Sequence, residues 1–301
     1  LEKTIWRFAQ HPNGGFRMKM LQSLSRPSLG AHLRVLVIVA VKDWRQYWRY
    51  PLNALASLLH PLIWLSPVYF MGQTFSVNGR AEAFAGYSGT SDFISFILLG
   101  AVLSSYVQTV FWGIGYALKN DMDSGVLESN WLMPVPRPLL LVGRTLSSML
   151  LTTITSLAML LVAALVFGFQ PTGSAALALV PAIPMLIGLY GFGMAFAAVV
   201  LLMRDANTLV DVSSYVVNLF SGSSFPVQAL PRFLLPVSLA IPLTYGFDAV
   251  RGILLKTDTF LPVEVEVALL VVFMVVMTAA GVVTFARVDR RVRTLGTLGQ
   301  H

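Results

Sequence analysis

The sequence predicts an all-α integral membrane protein: six transmembrane helices, an N-terminal cytoplasmic amphipathic helix before them, and a re-entrant hairpin before the last span. Three observations predict it. First, 56% of the 301 residues are apolar and 12% are charged, half the roughly 25% charge of soluble domains, and mean hydropathy is +0.72. Second, the charges cluster, so that Tyr50–Gly79, Phe93–Leu118, Thr145–Met203 and Val267–Ala286 contain no Asp, Glu, Lys or Arg. A helix needs about 20 apolar residues to cross a 30 Å hydrocarbon core, and these runs supply them. Third, the Lys and Arg residues between the runs fall mostly on alternate connections, as a multi-pass topology requires.

The N-terminal segment, residues 1–50, is basic. Within it Leu33, Leu36, Val37, Ala40, Val41, Trp44, Tyr47 and Trp48 keep helical spacing. Arg34, Lys42, Arg45, Gln46 and Arg49 share the other side. The apolar face is too short between charges to cross a bilayer. Trp, Tyr, Lys and Arg favour the headgroup zone, so the expectation is a helix lying on the cytoplasmic surface.

Residues 51–286 then form the membrane domain. Its first span runs over about Asn53–Phe75, kinked at Pro61 and Pro67, and its second over about Phe93–Leu118. The run Thr145–Met203 would extend about 88 Å as one helix, so it folds back. Gln170-Pro171-Thr172-Gly173 supplies the turn, dividing it into spans of about Thr145–Phe167 and Ala175–Met203. A fifth span starts near Asp211. The stretch after it is cut by Pro231, Pro236 and Pro242, and from Arg232 to Pro242 a helix covers only about 16 Å. That is the hairpin. Val267–Ala286 is the sixth span, and residues 287–301 are a basic tail.

Charge fixes the orientation. Six spans place 17 of the 21 Lys and Arg residues on one side, leaving Arg80, Arg232, Arg251 and Lys256 on the other. Basic residues concentrate on the cytoplasmic side, so both termini are expected there. The formal net charge of +7 follows from this asymmetry, and nucleic acid is not an expected partner.

Several chemistries find no support in the residues. There is no cysteine, hence no disulfide or thiolate site. His11, His32, His60 and His301 have no paired-ligand spacing. No Gly-x-Ser-x-Gly elbow occurs, and no Gly-Lys dipeptide of a phosphate-binding loop. Proton and sodium relays place ionisable groups within spans. Here the carboxylates sit at span ends or in loops, and His60 alone is expected inside. Glycines Gly188, Gly191 and Gly193, with Ala197, suit close helix packing. The sequence therefore describes a membrane protein that carries no energy source of its own.

Three local patterns remain. The loop after span two reads Asp121-Met122-Asp123-Ser124-Gly125-Val126-Leu127-Glu128, then Pro134-Val135-Pro136-Arg137. The end of span five reads Asn218-Leu219-Phe220-Ser221-Gly222-Ser223-Ser224-Phe225-Pro226, then Leu230-Pro231. Such a segment cannot face lipid, because its backbone and hydroxyls need partners. The hairpin closes with Ile241-Pro242-Leu243-Thr244-Tyr245 and Arg251, near the outer interface, where snorkelling of Arg251 to headgroups is the plain alternative to a role in a site. In order and spacing these resemble the permease subunits of type-2 ABC transporters, which export polysaccharides, lipids and drugs. Polysaccharide permeases of that class carry an Arg-Asp-Leu-Lys-x-Arg-Tyr-like stretch before span one. Val41–Tyr50 departs from it in its extra aromatics and looks more like the drug and lipid exporters.

The resemblance implies a function and a set of sites. The chain would be one of two permease subunits, in a homodimer or heterodimer, standing on two separate ABC ATPase subunits in a bacterial plasma membrane. ATP and Mg would bind those partners, and this chain would hold no cofactor or metal. Asp123, Gly125, Leu127, Glu128, Trp131, Pro134 and Arg137 would form the ATPase-coupling loop. Tyr106, Phe111, Trp112, Tyr215, Asn218 and Phe220 would line the substrate path between spans two and five. Phe220, Ser221, Gly222, Phe225, Pro226, Pro242 and Arg251 would form an outer gate. The cargo implied is a hydrophobic drug or a lipid, with a glycan or glycolipid as the alternative. A membrane-bound enzyme or scaffold is the alternative from another class.

Overall fold

A computed structural model describes residues 82–125, 137–166, 168–200 and 206–295, together with Met203 and scattered positions between 37 and 74. Most of the expected first span, His60, and loop residues 126–136 lie outside the described residues. The helical positions at 37–49 include Val37, Ile38, Val41, Trp44 and Trp48, all exposed.

Among the described residues all regular structure is helical. A short helix α1 (Glu82–Ser88) precedes α2 (Phe93–Gln108), which continues without a break through a π-helical segment (Thr109–Gly115) into α3 (Tyr116–Asp123). Two long helices follow, α4 (Arg137–Val166) and α5 (Ala175–Val200), then α6 (Ala206–Phe220). A 3₁₀ turn (Val227–Ala229), α7 (Leu235–Leu239) and α8 (Leu243–Leu255) lead to α9 (Val263–Leu295).

Four of these stretches are long and apolar enough to cross a membrane: Phe93–Ile114, Val142–Val166, Ala175–Val200 and Val263–Val288. They coincide with the second, third, fourth and sixth expected spans. The fifth departs from expectation. It starts five residues earlier than Asp211, and its 15 residues extend only about 22 Å, less than a hydrocarbon core requires. The chain stops being helical at Ser221 because Gly222 takes a positive φ of 74°, which glycine adopts freely.

The long helices alternate in direction, so the fold has two ends. At one lie the start of α2, the turn after α4, the ends of α6 and α8, and the start of α9. Hydrogen bonds tie these connections together. The Gly173 amide donates to the Leu254 carbonyl at 2.9 Å, and the Asp258 amide to the Ser88 carbonyl at 3.2 Å. The other end holds α3, the start of α4 and the far end of α9.

Helices α5 and α9 form the central seam. A Cβ at Gly191 would lie 2.6 Å from the Thr278 amide nitrogen, and one at Gly188 would meet the Phe273 ring. Small residues let two backbones approach this closely where no water drives helices together. The main core gathers around Phe111, Met185, Leu189, Val200, Phe247 and Leu270, all essentially unexposed. Helix α4 joins through hydroxyls: Ser105 with Ser156 at 3.2 Å, Tyr106 with Thr153 at 3.0 Å, and Thr109 with Thr152 at 2.7 Å. Its other face, with Leu146, Leu150, Leu157, Leu161 and Leu165, is exposed. An apolar stripe running the length of a helix exceeds what a soluble monomer carries and fits a lipid contact.

Candidate functional site

Polar and charged side chains are concentrated at the two ends of the bundle. At the first end, the segment after α6 folds back on itself. Ser221, Gly222, Ser223 and Pro226 are buried, whereas Phe220 and Phe225 are partly exposed and Ser224 is exposed. The local sequence explains the fold. Ser223 Oγ donates to the Asn218 carbonyl at 2.8 Å, and Ser238 Oγ donates to the Phe220 carbonyl, so hydroxyls replace the helical partners that α6 loses at its end. Thr244 Oγ1 donates to the Ser238 carbonyl at 2.7 Å and Tyr245 OH to the Leu239 carbonyl at 2.9 Å, fastening α8, which begins just after Pro242, to α7.

Arg251 does not snorkel. It is 2% exposed, and its fork donates to three backbone carbonyls: Nε to Phe96 at 3.1 Å, Nη1 to Gly222 at 2.6 Å and Nη2 to Ser223 at 2.5 Å. The guanidinium carbon stands 3.7 Å above the centre of the Phe96 ring, a cation–π geometry. Burial lowers its pKa from the ordinary arginine value, while Asp248, one turn earlier, raises it. The snorkelling alternative is thereby excluded, because the carbonyls of Phe96, Gly222 and Ser223 satisfy the guanidinium inside the bundle.

Two carboxyls missing from the sequence-predicted site lie beside it. Asp248 Oδ2 accepts from the Phe260 amide at 2.5 Å, and Glu266 Oε1 from the Leu261 amide at 3.3 Å. Glu266 is fully buried, and its carboxyl lies within hydrogen-bonding reach of Asp248. Burial raises the Asp248 pKa, against the lowering effect of the Phe260 amide. The signal was present in the sequence: Asp248 and Arg251 share a helix face at i, i+3 spacing.

At the opposite end, Arg144 Nη1 and Nη2 grip Asp121 at 2.6 and 3.2 Å, and Lys119 pairs with Asp123 at 3.0 Å. Asp123 and Gly125 are exposed, and Gly125 holds a positive φ of 68°. Leu127, Glu128, Trp131 and Pro134 lie outside the described residues; Arg137 begins α4.

The residues expected to line a path do not share one surface within the subunit. Tyr106 and Phe111 are buried in the core, the first bonded to Thr153 and the second edge-on to Phe192 and Phe196. Tyr215 is 68% exposed and Trp112 39%, with Asn218 partly buried and donating to the Ser214 carbonyl. Among the described residues no cluster of three or more His, Asp or Glu side chains is placed to hold a metal.

A family model described as ABC-2 type transporter matches residues 34–255, well over half of the chain. The match takes in both polar ends and closes with α8. No curated protein matches the chain.

Proposed function

The chain belongs to the ABC-2 type transporter family, and from that membership we propose that it is the permease subunit of an ATP-driven exporter whose ATPase is a separate polypeptide. One observation carries the reading beyond the family. The helix that begins at the Arg251 cluster and the helix that ends at the Asp121–Arg144 pair are a single continuous element, Phe93–Asp123. A partner acting on the loop after α3 therefore acts on a rod whose far end meets the folded-back segment 221–226 through Arg251.

The reading places six spans in the bilayer, with the segment after α6 together with α7 and α8 as a re-entrant hairpin on the outer side. Both termini face the cytoplasm, as the basic residues favour. Two copies, or this chain and a close relative, pair above two ATPase subunits. Those subunits hold ATP and Mg. Asp123–Arg137 is the docking loop, and closure of the ATPase pair drives it toward the membrane.

The substrate path runs along the subunit surface, where Trp112, Tyr215, Asn218 and Phe220 stand. Tyr106 and Phe111 support this wall from behind. An exposed aromatic surface of this kind takes a hydrophobic drug or a lipid; a glycan would need more hydrogen-bonding groups. At rest Phe220 and Phe225 close the outer mouth.

Reconstitution tests the reading. The chain purified alone should hydrolyse no ATP, and hydrolysis should appear when it is co-expressed with its ATPase. ATP turnover by the isolated chain, persisting through further purification, would refute the division of labour.

A further inference from the structure

We propose that Arg251 is a positioning residue that transmits the movement of the α2–α3 rod to the outer gate; the proposal rests on the exporter reading above. Its three hydrogen bonds end on two different elements. Nε takes the Phe96 carbonyl in the first turn of α2, while Nη1 and Nη2 take the Gly222 and Ser223 carbonyls of the folded-back segment. One planar fork thus joins the rod to the gate.

Arginine is required for this geometry. A buried cation is costly unless its protons are satisfied, and a guanidinium offers five donors in a fixed plane. A lysine ammonium is a point charge on a flexible stem and cannot hold three carbonyls in one plane. The Phe96 ring, 3.7 Å below the guanidinium carbon, fixes the plane of the fork against α2. Arg251 therefore has no freedom to follow the gate without following the rod.

The contact is built from the rod side as well. Gly100, one turn beyond Phe96, faces the same junction: a Cβ there would collide with the Ser223 carbonyl oxygen and with Arg251 Nη2. The missing side chain is a notch into which the gate segment settles. Asp248 lies one turn before Arg251 and is held by the Phe260 amide, which anchors α8 to the connection before α9.

A two-reporter experiment tests the proposal in the complete complex with the ATPase. The chain has no cysteine, so single cysteines can be placed at the exposed Ser224, beside the gate, and at the exposed Ser124, at the end of the rod. Labelling by a membrane-impermeant maleimide is timed with and without ATP and vanadate, using a complex whose ATPase cysteines have been removed. In the otherwise unaltered complex both rates should change about threefold or more on trapping, as a population shift between two states produces. In Arg251→Lys the Ser124→Cys response should persist while the Ser224→Cys response disappears. Gly100→Ala keeps the arginine and fills the notch; it should give the same split, so the test survives if Arg251→Lys fails to fold. A full Ser224→Cys response in either folded variant overturns the proposal and leaves Arg251 as a packing residue. Silence of both reporters in the unaltered complex would overturn the exporter reading, and this inference with it.

Discussion

Asp121 and Arg144 form a two-pronged ion pair, at 2.6 and 3.2 Å, that closes the end of α3 against the start of α4. Asp121 is nearly buried and Arg144 partly so. Exposed pairs contribute up to about 1 kcal/mol, and breaking a buried pair costs about 3–5 kcal/mol. Asp121→Asn should therefore cost roughly 1–3 kcal/mol, between those limits. Thermal unfolding of both single mutants and of the exchanged pair, Asp121→Arg with Arg144→Asp, would measure it. A pair contributing to the fold should regain part of the loss when exchanged.

The α5–α9 seam should tolerate no added side chain at Gly191. Gly191→Ala forces a Cβ against the Thr278 backbone, and overpacking of this kind costs about 1–3 kcal/mol. Gly86→Ala, where nothing lies within 4 Å, is the matched control. Melting temperature in detergent should fall for the first and hold for the second.

Glu128→Lys should lower ATPase stimulation and transport together while expression and membrane insertion stay normal. The substitution reverses a charge in the loop proposed to dock the ATPase. Wild-type stimulation in the mutant complex would remove Glu128 from that contact.

Topology can be read from cysteines. Ser174→Cys, exposed at the turn between α4 and α5, should react with an impermeant maleimide in intact cells. Ser129→Cys should react only after permeabilisation. Reversed labelling would invert the orientation drawn from the 17-to-4 division of basic residues.

Phe220→Ala should raise basal ATPase or alter transport without lowering the melting temperature. Phe220 is only partly buried, so its removal forfeits less than the roughly 3–5 kcal/mol of a core phenylalanine. Phe111→Ala is the contrast. That ring is fully buried, and its loss should appear first as instability. A stable Phe220→Ala mutant with unaltered turnover and transport would assign the ring to packing.

What the sequence discloses depends on the physics behind each feature. Thr145–Met203 had to fold back because of its length alone, and the turn at Gln170–Gly173 was legible in its residues. The start of α5 at Ala175 followed from composition, whereas α9 begins at Val263 and continues to Leu295, through basic residues expected in the tail. For Arg251 the sequence left two ways to satisfy its donors, headgroups or nearby carbonyls, and the partners are the carbonyls of residues 96, 222 and 223. Long-range partners of this kind leave no local periodicity. The π-helical segment at Thr109–Gly115 was equally hidden. Tyr106 and Phe111 were grouped with Trp112 because all lie on one span, but the described fold turns the first two into the bundle and the last outward.

The hydroxyl pairs between α2 and α4 have a mechanical consequence. Ser105–Ser156, Tyr106–Thr153 and Thr109–Thr152 run antiparallel in register, so a slide of one helical turn would break all three at once; in one direction Ser105 and Tyr106 would face Leu160 and Leu157, in the other Ser105 would meet Thr152 and Thr109 would meet Ser148. Each such bond inside a membrane contributes about 0.6 kcal/mol, so the aligned register is favoured by roughly twentyfold at most, over a slip that regains none of them. That bias acts as a detent: it holds the two helices in phase through thermal motion. A rod gripped in this way bends or tilts with its neighbour before it slips.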